Sequence, residues 1–267
     1  MLDRYWTRRL QRGVRRVSRR KASNTIVSLT TTPVRISHAW IAIESVLQGT
    51  VTPSRVVLVL SREEFGDGSV PASILDQTSR GLEIRWVDDN TRSYKKLLPV
   101  LADHRDVPIV TIDDDAAYRP WMLEGLLRRR KVNPRAVIGY RGREIQRVDG
   151  TMTSYRSWPL APRAVSAGEV ILTGVGGILY PPDADLAEQL LDQTSALRAA
   201  PHADDVWFWG ATVSSGLSVV CLNRPSFRSL HAAATGPSIY RQSVLAGTGD
   251  RQDKQIRAVS EHFEIGV

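Results

Sequence analysis

From residue 24 onward, short runs rich in Val, Ile and Leu alternate with longer stretches in which apolar positions recur every three or four residues. The first pattern predicts buried strands and the second predicts helices with one apolar face. Strands are expected at Thr25–Leu29, Arg55–Leu60, Leu82–Val87, Pro108–Ile112, Ala136–Tyr140, Glu169–Leu172 and Leu217–Leu222. Helices are expected near Ser37–Gln48, Ala72–Thr78, Tyr94–Asp103, Pro120–Lys131, Asp185–Ala199 and Asp205–Ser215, several opening on Ser or Asp with Gly just past the end. Four β-α units in succession predict an α/β fold with a mainly parallel sheet covered by helices on both faces. In such sheets ligands bind beyond the carboxyl ends of the strands, so the polar residues after each strand are where chemistry is sought. Gly142–Ala167, with Pro, Ser, Trp and Arg and weak periodicity, reads as a long loop between two halves.

The first 21 residues have their own pattern. Leu2, Trp6, Leu10, Val14 and Val17 fall on one helical face while arginines cover the others. Residues 1–22 therefore read as a basic amphipathic extension suited to an anionic membrane surface, with a solvated extension as the plainer alternative.

Charge changes this picture less than its total suggests. The net charge is +8, but residues 1–21 hold nine basic groups against Asp3, and residues 22–267 hold 27 basic and 27 acidic groups. The neutral remainder offers no basic groove, so specific nucleic-acid recognition is not expected. Cys221 is the only cysteine, which excludes an internal disulfide and cysteine-rich zinc sites and fits a reducing cytoplasm. No run reaches the length of an apolar membrane span, and the N-terminus lacks the apolar core of a secretory signal. The expected location is cytoplasmic, or peripheral on the inner face of the cell membrane.

The candidate chemistry is acidic. The strand Pro108–Ile112 runs directly into Asp113, Asp114 and Asp115, with Tyr118, Pro120 and Trp121 following at a helix start. Three carboxylates at one strand end repel one another and call for a positive partner, which a hard divalent cation carrying a diphosphate would supply. The plainer reading is one helix-capping Asp and two in water. A second acidic pair, Asp204 and Asp205, opens the segment Val206–Trp209; one of the two fits an N-cap and the other a general base. Trp207 and Trp209 suit a sugar-stacking wall less well than a core. The turn Thr173–Gly177 implies close backbone approach to a ligand or a neighbouring strand. Lys95 and Lys96 on composition alone read as a solvated helix face, and His231 as an ordinary loop histidine.

Read together, these pieces resemble a group of bacterial GT-A glycosyltransferases related to the family-two enzymes, over about Ile26 to Ile256. The resemblance rests on Ser28–Arg35, Ser93–Leu97, Asp113–Asp115, Thr173–Gly177 and Ala203–Trp207, and on an ending at Asp253–Ile256. It implies one GT-A domain over residues 23–267, with a nucleotide-binding half near 23–141 and an acceptor half near 168–267. It also implies a metal-dependent transfer, with inversion, from a nucleotide-diphosphate sugar donor to a sugar or lipid-linked acceptor in glycan or glycolipid synthesis. By resemblance Thr30, Thr32, Pro33 and Arg35, together with Asp88 and Asp89, would meet base and ribose. Lys95, Lys96 and Asp114 would lie near the nucleotide, and Gly176 and Gly177 would border the sugar. Asp113 would meet the ribose or the metal, Asp115 would hold Mn2+ or Mg2+ with His231 completing the metal site, and Asp205, or failing it Asp204, would be the base. No Gln-x-x-Arg-Trp motif is present, so single transfer is expected rather than polymerisation. A nucleotidyltransferase of similar architecture is the alternative. An Asp-x-Asp phosphatase is set aside because position 117 is Ala and the motif sits mid-chain.

Overall fold

The computed structural model describes residues 21–230 and 249–266, with side chains from 23 and from 251 within these ranges. The amphipathic extension, but for its last two residues, and His231 lie outside the described residues. The strands that matter for the site are β1 (Ile26–Thr30), β2 (Arg55–Ser61), β3 (Leu82–Val87), β4 (Ile109–Thr111), β5 (Ala116–Tyr118), β6 (Val137–Gly139), β7 (Gly142–Glu144), β8 (Ala164–Ser166), β9 (Val170–Leu172), β10 (Ile178–Tyr180), β11 (Val219–Cys221) and β12 (Phe227–Ser229). The main helices are α1 (Ile36–Leu47), α2 (Leu98–Asp103), α3 (Met122–Val132), α4 (Ala184–Leu191), α5 (Gln193–Ala199), α6 (Asp204–Ser214) and α7 (Gly249–His262).

Eight strands form one sheet in the order β8-β11-β6-β10-β4-β1-β2-β3. The pairs β4-β1, β1-β2, β2-β3 and β11-β6 are parallel, while β10 and the edge strand β8 run against their neighbours. The sheet is therefore mostly parallel, as the alternation of strand and helix patterns predicts. Its central strands are apolar on both sides because both sides are covered. In β2, Val57 and Val59 join the core on one face, while Val56, Leu58 and Leu60 join the core on the other. Ile109 and Val110 of β4 divide in the same way. Helices α2, α4, α6 and α7 contribute Leu101, Leu190, Trp207 and Val259 to the first core; α1 and α3 contribute Ile43 and Leu126 to the second.

Trp207 and Trp209 belong to the first core, and the indole N–H of Trp209 donates to the Gly168 carbonyl at 2.7 Å. They are core residues, as expected, and offer no wall for a sugar. Where α6 meets α7, a Cβ at Gly210 would stand 2.5 Å from Val259 and Phe263, so the close crossing requires glycine.

Several expected boundaries are corrected. Gly142–Ala167 is not a featureless loop: β7 pairs antiparallel with β9, and β8 closes the sheet edge against β11. The strand predicted at Glu169–Leu172 therefore lies outside the main sheet. The predicted helix Asp185–Ala199 is broken at Asp192, whose φ of −70° and ψ of 71° leave the helix and whose carboxylate caps α5 at Ser195 N–H (3.1 Å). The strand β10, at the centre of the sheet, went unseen because three apolar residues between Gly177 and Pro181 give too short a run to read.

Candidate active site

Strands β1, β2, β3, β4 and β6 point their carboxyl ends to one edge, and the turn that feeds the antiparallel strand β10 arrives at the same edge. The residues after β4 and the first turn of α6 meet there. Lys96 is the centre of this meeting. It closes a 3-10 turn (Arg92–Lys96) leading into α2, its side chain is only 6% exposed, and its Nζ lies 3.2 Å from Asp113 Oδ1 and 2.9 Å from Asp204 Oδ2. Burial works against its charge, but attraction to Asp113, Asp204 and Asp205 outweighs burial and holds the ammonium well above its ordinary pKa. The solvated-face reading of Lys95 and Lys96 is thus wrong for both: each is buried, although only Lys96 turns to the acidic cluster. Lys95 pairs instead with Glu64 at 2.6 Å and donates to Asn90, nearer the end of β3.

A second cation serves the other half of the cluster. Arg35, immediately before α1, places Nη2 2.7 Å from Asp114 Oδ1 and 2.7 Å from Asp115 Oδ2. Thr31, in the same turn, donates its hydroxyl to Asp114 Oδ2. Burial pushes the Asp114 carboxyl up to about 6 despite Arg35 and Thr31, and burial together with Asp113 raises Asp115. The positive partner demanded by three adjacent carboxylates is therefore supplied in part by the protein. Five carboxylates face two cations, which leaves a surplus of negative charge at the strand ends.

Neither Asp204 nor Asp205 is the N-cap of α6; the cap position is Ala203, and both acids sit in the first helical turn. Asp204 accepts from Ser93 Oγ at 2.8 Å and pairs with Lys96. Asp205 Oδ2 accepts the Gly174 N–H at 3.1 Å, whereas Oδ1 is buried without a hydrogen-bond partner. Burial, reinforced by Asp204 and resisted by Lys96, pushes its carboxyl up to about 7. An orphaned, perturbed carboxylate at the carboxyl ends of the strands marks a functional-site candidate.

The glycine turn belongs to this site through Gly174. A Cβ there would come within 2.8 Å of Lys96 Nζ, 3.2 Å of Asp113 Oδ1 and 3.4 Å of Asp205 Oδ1. Gly176 and Gly177, the two expected at the site, face Tyr140, Arg141 and Met122 instead. Tyr118 ties the turn to the cluster: its hydroxyl accepts from Asp113 N–H at 2.9 Å and donates to the Val175 carbonyl at 3.2 Å. Thr31, Ser93 and Gly174 lie within the segments Ser28–Arg35, Ser93–Leu97 and Thr173–Gly177 that carry the resemblance, but the part each plays at the cluster is not readable from sequence, and Tyr118 carried no site signal.

The remaining expected residues are dispersed. The Thr30 hydroxyl donates to the Val59 carbonyl at 2.8 Å and is used within the sheet. Thr32 is partly exposed, Pro33 exposed, and the exposed Asp88 lies 3.6 Å from Arg62 with Asp89 beside it at the surface.

No family model matches the chain, and no curated protein matches it. Solved structures do. Residues 1–349 of S. aureus TarS align with a TM-score of 0.52 at 12% identity, over 91% of this chain and 72% of that one. The TarS complex with UDP aligns at 0.51 and 13% identity, over 91% and 72% of the two chains. The complex with UDP-GlcNAc aligns at 0.50 and 12%, over 91% and 74%. With acidic residues at the ends of a mostly parallel, helix-covered sheet, the chain has a GT-A fold, which the likeness to TarS bears out.

Proposed function

We propose that this chain is a glycosyltransferase that moves a sugar from a nucleotide-diphosphate donor to an acceptor hydroxyl, with inversion. The observation that carries the reading is Asp205: a carboxylate held by the Gly174 N–H, with one buried oxygen lacking a partner, beside the Asp113 and Lys96 pair. An acceptor hydroxyl would supply the missing partner. Asp205 would take its proton as the acceptor oxygen bonds to the anomeric carbon and the bond to the diphosphate oxygen breaks. A pKa near 7 suits a group that exchanges a proton at neutral pH. That TarS was solved with UDP and with UDP-GlcNAc supports a nucleotide sugar as donor. Lys96 and Arg35 would set the carboxylates in place and draw the leaving diphosphate by charge.

The all-oxygen donor set and the surplus negative charge fit a hard divalent cation. Asp113 and Asp115 would hold Mn2+ or Mg2+, which when bound would neutralise the leaving diphosphate as a Lewis acid. Among the described residues no group of three metal-binding side chains is assembled, so diphosphate and water oxygens would complete the shell. Leu230 donates its N–H to the Asp115 carbonyl at 2.8 Å, which brings the chain to the cluster one residue before His231 and supports that histidine as a further ligand. Residues 1–21 would seat the enzyme on an anionic membrane surface near a lipid-linked acceptor. Among the described residues no helix is long and apolar enough to cross a membrane.

A thermal-shift panel of nucleoside diphosphates, with and without Mn2+, tests this reading. One diphosphate at about a thousandfold its Kd should stabilise the chain by about 4 kcal/mol. Asp115→Asn should lose the Mn2+-dependent part of that shift yet stay folded, because Arg35 keeps Asp114 as a partner. Identical Mn2+-dependent shifts in both chains would remove the metal role of Asp115.

A further inference from the structure

Behind the glycine turn, on the α3 side of the sheet, lies a cleft of about 260 Å³ walled by Arg128, Arg129, Arg163 and Arg224. Val132 and Leu222 add apolar surface to its lining. The ion pairs of the described residues give these four guanidinium groups one carboxylate, Glu124, 3.0 Å from Arg128. Arg129 Nε is buried without a hydrogen-bond partner. The Arg224 guanidinium lies 3.9 Å over the Trp121 ring, which fixes its plane, and among the described residues no carboxylate pairs with it. Tyr140, also in the wall, spends its hydroxyl proton on the Met122 carbonyl at 2.9 Å. Like charges gathered around a concavity with so little compensation repel one another unless an anion joins them, and a fork of planar donors matches phosphate oxygens.

The cleft is coupled to the acidic site by one short turn. Gly174 abuts Lys96, Asp113 and Asp205, while Gly176, two residues on, abuts Tyr140 and Arg141. We propose that this cleft binds a phosphate group, and, resting on the transferase reading above, that the phosphate belongs to the acceptor, whose sugar or alkyl part lies over Val132 and Leu222. It is an anion site separate from the acidic cluster at Asp113–Asp115, and it selects acceptors that carry phosphate near the reacting hydroxyl.

Binding, which needs no turnover, tests the site independently of the transferase reading. The probes are inorganic phosphate, the soluble diester glycerophosphoglycerol and vesicles of phosphatidylglycerol, each titrated into the full chain at fixed low salt. The variants are Arg163→Gln with Arg224→Gln, Arg128→Gln with Arg129→Gln, and Arg35→Gln as a control at the acidic site. Because charge-assisted hydrogen bonds are lost, each pocket pair should weaken the diester by about tenfold or more, while Arg35→Gln leaves it unchanged. Inorganic phosphate bound as tightly as the diester would assign the site to a free phosphate. Vesicle binding lost with the pocket pairs would assign it to a lipid headgroup. Equal affinity of all chains for every probe, or a loss produced by Arg35→Gln and not by the pocket pairs, would overturn the proposal.

Discussion

Asp205→Asn is expected to lose about a hundred- to ten-thousandfold in turnover, the usual share of general-base catalysis, while keeping its affinity for the donor. The same substitution should make the protein more stable. Burial and Asp204 hold this carboxyl up at about 7, whereas in the unfolded chain it titrates near 3.9. The native state therefore binds the proton more tightly, and the ionised group costs stability that grows from about pH 4 and is complete above about pH 7. Asparagine removes that cost and keeps an oxygen for the Gly174 N–H. The gain should be about 1–3 kcal/mol above pH 7, below the full linkage value because Lys96 loses an attraction, and should vanish near pH 4. Melting curves at pH 5 and pH 8, beside a transfer assay, check both halves. A variant with normal turnover would move the base to Asp204. A variant with no stability gain at pH 8 would mean that Asp205 is not strained in the native state.

Lys96→Met has the opposite sign. Its ammonium is the shared partner of Asp113 and Asp204, and removing it leaves carboxylates with no counter-ion in a largely desolvated place. Breaking one side of a buried pair costs about 3–5 kcal/mol, and the partial exposure of Asp113 points to the lower end. The loss should be full at neutral pH, because the raised pKa of Lys96 keeps its ammonium charged there. Urea unfolding at pH 7.5 measures this directly. A midpoint independent of the substitution at pH 7.5 would show that Lys96 does not bind the cluster together.

Much of the architecture was legible because each covered strand needs several consecutive apolar residues. Arg55–Ser61 is an example, and the helix after Arg35 is legible in the same way, with Ile36, Ala39, Ile43 and Val46 turned inward. What escaped was short or irregular. β10 has three residues, and the pairing of β7 with β9 depends on a fold-back that no local periodicity encodes. At the site, the acidic triplet and the Asp204 and Asp205 pair stood out as charge clusters, and the structure brings both groups to Lys96. Sequence does not tell which cation goes where. Lys95 and Lys96 look alike on composition, yet successive residues of the tight turn send one to Glu64 and the other to Asp113. Arg35 read as a nucleotide contact from the family resemblance. Its bridging of Asp114 and Asp115 follows from the crossing of two strand ends 80 residues apart, which only the fold supplies.

The central claim, sugar transfer from a nucleotide-diphosphate donor, is tested most directly by identifying the leaving group. The full chain is incubated with Mn2+ and a panel of UDP- and GDP-sugars, and separately with nucleoside triphosphates and sugar 1-phosphates. Chromatography then resolves nucleoside diphosphate from pyrophosphate. The account predicts release of a nucleoside diphosphate from at least one nucleotide sugar, slowed about a hundredfold or more by Asp205→Asn, and no pyrophosphate. Pyrophosphate released from a triphosphate, with every nucleotide sugar left intact, would contradict it and assign the site to nucleotidyl transfer.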